Sequence, residues 1–128
     1  MKFIWIGLTA LVAIGCIAAG TTNNEMDKAT VVELVTWKSV DGVAPDTAKE
    51  LMQRLNNFVG QQPGFISRTT AYSPSGKFCD VVYWTDLASA QAASKKAEST
   101  PELGEVFATV DQTQMMFDHF EIFNQFEK

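Results

Sequence analysis

Much of what enzyme chemistry usually draws on is scarce in this chain. One histidine and two cysteines are spread over 128 residues, too few for a closed zinc site. No glycine-rich phosphate loop and no dinucleotide fingerprint occurs. Basic residues are in the minority, ten Lys and Arg against fifteen Asp and Glu, for a formal net charge of −5. An acidic chain has no electrostatic reason to seek phosphate backbones. That argues against nucleic acid, and against a bare anionic membrane surface, as partners. The one long apolar run, Phe3 to Ile14 (FIWIGLTALVAI), is too short to cross a bilayer as a stable helix. The hydrophobic share of 46% is too high for a disordered chain. The length suits one domain with a two-layer core.

That apolar run follows Met1-Lys2 and precedes small residues, the pattern of an export signal over residues 1–20. Two processing routes stay open. Ala18-Ala19-Gly20 suits an ordinary signal peptidase. Ala13-Ile14-Gly15-Cys16 resembles a bacterial lipobox, in which Cys16 would be acylated, although Ala13 stands where a larger aliphatic residue is usual. Either route takes the protein out of the cytosol, to the periplasm, cell envelope or exterior. Membrane contact is then expected only through the signal or a lipid anchor. Residues 21–30 (TTNNEMDKAT) are polar and without periodicity, and read as a linker.

From Val31 the pattern becomes that of a folded domain, residues 31–124. Val31 to Ser39 alternates as a strand with apolar residues on both faces. Pro45 opens a helix whose apolar residues recur at three- and four-residue steps to Val59. Phe65–Tyr72 and Lys77–Thr85 form a hairpin across the turn Ser73-Pro74-Ser75-Gly76. Asp86 is a candidate N-cap for an alanine-rich helix, Leu87–Glu98. A short helix is expected over Pro101–Val110, and a last aromatic strand over Thr113–Phe123. The order strand, helix, strand, strand, helix, strand predicts a ferredoxin-like α+β fold, βαββαβ, with a four-stranded antiparallel sheet and both helices on one face. The uncovered face is expected to carry several of Val31, Val35, Trp37, Phe78, Val82, Trp84, Phe120 and Ile122. An apolar face of that kind calls for a partner, most simply a second copy.

The segment from Val31 to Phe123 resembles the antibiotic biosynthesis monooxygenase (ABM) family of dimeric α+β barrels. The carrying features are VVELVTWK, Gln62-Pro63-Gly64-Phe65, the strand ending VVYW at Trp84, the Ala-rich helix, a short helix near Pro101 to Phe107 and the aromatic final strand. The resemblance implies a homodimer and a cavity between each sheet and its helices that takes a small apolar or aromatic molecule. Some members of the family oxidise aromatic polyketides with O₂ and no metal or organic cofactor. Its haem-degrading branch uses a helical His and a first-strand Asn. Here the matching stretch is Val106-Phe107-Ala108, and the first strand has no Asn.

The candidate chemistry is therefore that of a cofactor-independent monooxygenase, with His119 or Tyr83 as base. Trp84, Trp37, Tyr72 and Arg68 are candidates for the substrate pocket. Each has a structural alternative: the tryptophans as core or dimer packing, His119 as a strand-face residue, Arg68, Tyr72, Tyr83 and Asp80 as pairs across a dimer. Cys79 is expected to be a buried thiol or an intermolecular disulfide. Met115-Met116 is expected to pack, not to bind metal. The competing reading is a non-catalytic envelope module for binding or assembly. It requires the space between sheet and helices to be filled by Leu51, Leu55 and Phe58, whereas an enzyme requires an open cavity with convergent polar groups.

Overall fold

The computed structural model describes residues 28–128. The segment expected to be an export signal, Cys16 and most of the expected polar linker lie outside the described residues. The elements are β1 (Val31–Trp37), α1 (Pro45–Val59), β2 (Phe65–Tyr72), β3 (Phe78–Trp84), α2 (Leu87–Glu98), α3 (Gly104–Phe107) and β4 (Met116–Glu121). The strands form one antiparallel sheet in the order β2-β3-β1-β4. This is the ferredoxin-like arrangement expected from the sequence.

Local chemistry accounts for the boundaries. Pro45 starts α1, with Asp46 in the first turn, where negative charge suits the helix dipole. Asp86 caps α2 by accepting from the Ser89 N–H at 2.8 Å, as expected. The hairpin closes through Ser73 N–H to Lys77 O and Gly76 N–H to Ser73 O. The last strand is shorter than the aromatic pattern suggested. Asp111 accepts from the Thr113 N–H and folds Gln112–Gln114 into a 3₁₀ turn, so pairing begins only at Met116. The short helix over Pro101–Val110 is likewise split into a 3₁₀ turn, Pro101–Leu103, and α3. The domain also starts slightly early. The Thr30 N–H donates to Trp84 O, Thr30 O accepts from the Ile122 N–H, and Ala29 is buried.

Register decides which face of the sheet is covered, and it corrects the expectation. Val31, Val35, Trp37, Phe78, Val82 and Trp84 all lie on the helix side, where they form or flank the two packed clusters. The open face instead carries Val32, Leu34, Cys79, Val81, Tyr83 and Phe120. Its residues are still mostly apolar, and most are half-buried. Cys79 is a free, partly buried thiol there.

The layer between sheet and helices is packed at two ends. At one end Trp37 stacks on Phe78, centroids 5.2 Å apart, against Leu51, Met52 and Val106. At the other, Trp84 meets Phe65 edge-on at 5.9 Å and packs with Val31, Val59, Ala90 and Ala93. Burying one such large side chain contributes about 1.5–3 kcal/mol. The alanines matter because a helix without bulk on its inner face can approach the sheet closely.

Gly64, in the Pro-Gly-Phe step, has φ +81°, and a Cβ there would lie 2.5 Å from Ser89 Cβ and 2.7 Å from Thr85 Oγ1. Its carbonyl also accepts from the Thr85 N–H. Gly76 has the same φ but meets only the Tyr72 hydroxyl at 3.8 Å. Gly76→Ala is therefore expected to lose about 1–2 kcal/mol, the backbone cost alone. Gly64→Ala should lose that and roughly 1–3 kcal/mol more for the clash. Urea denaturation of the two variants checks this; equal losses would show that the α2 start does not press on Gly64.

Candidate functional site

Between the two packed ends lies a cavity of ≈ 470 Å³. Its walls are apolar for the most part: Trp37, Trp84, Leu55, Phe58, Phe107 and Phe117 all line it. Leu51 packs into the core instead, and Leu55 and Phe58 border the space without filling it. The condition set by the non-catalytic reading, a filled interior, is not met.

Strand pairing brings four polar side chains into this apolar layer. Arg68 on β2 and Glu33 on β1 both face Val82 on β3, and Glu33 is directly opposite His119 on β4. In the neighbouring row Thr70, Asp80, Val35 and Phe117 follow one another across the sheet. Burying charge without a partner is expensive, and the four side chains form two pairs.

The first pair is saturated. Arg68 grips Asp80 in a fork, Nε to Oδ1 at 2.9 Å and Nη2 to Oδ2 at 2.7 Å. Its Nη1 donates to Met52 O and Asn56 Oδ1 on α1. The side chains are 4% and 10% exposed. Such bidentate geometry fixes orientation as well as energy. Arg68 thus ties α1 to the sheet, and none of its three nitrogens is free of a partner.

The second pair is not saturated. His119 Nε2 lies 2.8 Å from Glu33 Oε2, and the Ser94 hydroxyl on α2 shares its one proton between the same oxygen at 3.3 Å and Ala90 O at 3.0 Å. No described residue donates to Glu33 Oε1. Burial pushes the Glu33 carboxyl above its ordinary value, and the negative Asp80 adds to this. The hydrogen bond and charge of His119 and the Ser94 hydroxyl act the other way. Phe117 holds the other side of His119, edge to face at 5.1 Å.

The sequence-predicted residues are distributed as follows. Trp84, Trp37 and Arg68 line the cavity. Both indole N–H groups are buried and without a hydrogen-bond partner among the described residues. His119 is on the cavity side of the sheet, behind Glu33. Tyr72 faces the helices but sits at the far end of β2, between Phe78 and the Lys49 ammonium, and outside the cavity. Tyr83 is on the opposite face of the sheet with Cys79 and Val81, so it shares no space with Trp84. Met115 lines the cavity mouth region and Met116 is exposed. Glu33 and Ser94 were missed. The signal for Glu33 was present: a lone carboxylate in the alternation Val31, Glu33, Val35, Trp37. Among the described residues no cluster of three His, Cys, Asp or Glu could hold a metal ion.

Removing one partner of a buried ion pair costs about 3–5 kcal/mol, whereas replacing both with apolar residues is often neutral. Asp80→Ala should therefore lower the urea-derived stability by about that amount, and Arg68→Met with Asp80→Leu should recover most of it; additive losses would contradict the pairing. Glu33 acts in the opposite direction to most carboxylates. Its folded-state value is raised from 4.5, so stability is full below that value and falls as pH rises through the raised one. Asp86 and Asp111, held below 3.8 by hydrogen bonds, lose their contribution only on further acidification. The thermal midpoint of Glu33→Gln should gain on the wild type as pH rises from about 4 towards neutrality; parallel curves would contradict the buried-carboxylate account.

Comparison with solved structures identifies the same fold elsewhere. SnoaB, a cofactor-independent oxygenase from Streptomyces nogalater, superposes with a TM-score of 0.63 at 20% identity, over 78% of this chain and 100% of that one. A dimeric ferredoxin-like protein from an uncultured marine organism gives 0.61 at 9% identity, over 81% and 96%. The ActVA-Orf6 monooxygenase of Streptomyces coelicolor, in complex with nanaomycin D, gives 0.57 at 16% identity, over 81% and 98%. No protein-family model matches the chain, and no curated protein matches it. At these identities the likeness establishes the fold, the one seen in antibiotic biosynthesis monooxygenases.

Proposed function

We propose that this domain binds a small, largely apolar aromatic molecule in the cavity between sheet and helices and oxidises it with O₂ as a cofactor-independent monooxygenase. The observation that carries the reading is the cavity itself. A volume of ≈ 470 Å³ walled by aromatic and aliphatic side chains, with a few polar groups converging at the sheet, has the character of a small-molecule site. The fold is shared with SnoaB, described as a cofactor-independent oxygenase, and with ActVA-Orf6, described as a monooxygenase and seen with nanaomycin D bound.

In the proposed reaction a hydroxylated anthrone-type substrate loses a proton and gains carbanion character at its ring CH₂ carbon. That carbon reduces O₂. One oxygen atom becomes the new carbonyl, and the other leaves as water with the two hydrogens of the oxidised carbon. The protein contributes a dry site, aromatic walls from Trp84 and Phe117, and a base on the sheet.

The domain is proposed to work as a homodimer, joined through the open sheet face. Val32, Leu34, Val81 and Phe120 on that face would leave water on association, and a neighbour of the same fold is dimeric. Export to the periplasm, envelope or exterior, with Cys16 as a lipid anchor in one of its two forms, is part of the same proposal.

The test is oxygen uptake by the purified domain on a panel of hydroxylated anthrones and quinols. Uptake above the uncatalysed rate is expected, and Ala97→Phe, which puts a ring into the cavity from α2, should abolish it while the far-ultraviolet circular dichroism is kept. No turnover across the panel removes the enzyme reading. Ligand capture in the cavity, with no chemistry, would then be the function of this site.

A further inference from the structure

The two polar pairs in the cavity differ in one respect that bears on the ligand. Arg68 and Asp80 have spent their hydrogen-bonding capacity on each other and on α1. Glu33 has spent one oxygen only. His119 and Ser94 both address Oε2, and that leaves Oε1 of a cavity-lining carboxylate with no donor among the described residues. Oε1 is not fully buried; it stays open to the cavity, as an acceptor that a donor on a ligand can reach.

We propose that Glu33, held by His119 and Ser94, is the group that recognises the ligand and takes its proton, and that the ligand is a neutral phenol or hydroquinone with a flat apolar body. This rests on the cavity being a small-molecule site. The charges facing Glu33 specify the ligand further. Asp80 is neutralised by Arg68, Glu98 also lines the cavity, and among the described residues the only basic group that contacts Glu33 is His119. A ligand that arrives as an anion meets carboxylates with no free cation to offset them. A neutral hydroxyl meets an acceptor. When the phenol ionises, its O–H bond breaks, the proton bonds to Glu33 Oε1, and the electron pair stays on the phenolate oxygen. The carboxylate becomes neutral as the ligand becomes anionic, so the two are never both charged. His119 is a positioning residue: it holds Oε2 and leaves Oε1 directed at the ligand.

The probes are 1-naphthol and its methyl ether, which have the same aromatic body, with and without the hydroxyl donor. Binding to the full chain is read by quenching of tryptophan fluorescence. A hydrogen bond to a charged group corresponds to about tenfold or more in affinity. Wild type should therefore prefer the naphthol by about tenfold or more, and Glu33→Gln should reduce that preference to about twofold with ether affinity unchanged. His119→Phe should lose most of the preference and His119→Gln, which can still donate to Oε2, should keep it. Equal affinity of wild type for the two probes, or an undiminished preference in Glu33→Gln, overturns the proposal while leaving the cavity reading intact. An undiminished preference in His119→Phe overturns the positioning role. Binding of neither probe to wild type removes the cavity reading, and the proposal with it.

Discussion

Charge on the covered face of the sheet is the constraint from which the rest of this structure follows. Arg68, Asp80, Glu33 and His119 project into a layer that is otherwise hydrocarbon. Apolar side chains cannot press onto charged groups without a penalty that exceeds what the contact contributes. The apolar packing of helices on sheet is therefore concentrated at its ends, around Phe78 and Trp37 and around Trp84, and over the middle the helices reach the sheet through polar contacts, Arg68 with Met52 and Asn56 and Ser94 with Glu33. A gap remains over the charged middle, lined by aromatic residues that reach across from both ends. The cavity and the polar groups have one cause.

The two pairs divide the work of such a site. The Arg68–Asp80 fork, locked to α1 through Met52 and Asn56, sets the distance between α1 and β2–β3. It is part of the scaffold, although it lines the cavity. The Glu33–His119 pair crosses from the centre of the sheet to its edge strand, β4, and reaches α2 through Ser94. Among the described residues it is where burial has raised an acid's affinity for its proton. Groups perturbed in this way concentrate at functional sites, and their desolvation is a stability cost that a purely structural residue has no reason to impose.

Much of this was legible in the sequence, for reasons that differ from element to element. Period-two alternation, Pro45, Asp86 and the Ser-Pro-Ser-Gly turn are local signals, and the elements they mark are in place. Alternation shows which residues share a face but not which face is covered, so it leaves open which of the eight candidates the uncovered face carries; pairing puts Val31, Trp37, Phe78 and Trp84 on the helix side. Adjacent strand residues point apart, and that alone separates Tyr83 from Trp84; it could have been read from the sequence. The Glu33–His119 contact could not. The two are 86 positions apart and meet only because β1 and β4 pair in one register. A shift of one residue would place Asp118 or Phe120 there instead. The late start of β4 was hidden for a different reason: Asp111 folds the chain just before the strand through its side chain, a local bond that aromatic periodicity does not reveal.

The central claim is that the charged middle of the sheet creates a site which a hydroxyl-bearing aromatic molecule fills, its hydroxyl on Glu33. A crystal structure of the domain with a dihydroxyanthrone bound tests it directly. The account predicts the rings between Trp84 and Phe117, with one hydroxyl oxygen about 2.6–3.2 Å from Glu33 Oε1. A ligand seated instead on the opposite face of the sheet, beside Tyr83, or in the cavity with its hydroxyl turned away from Glu33, would contradict it.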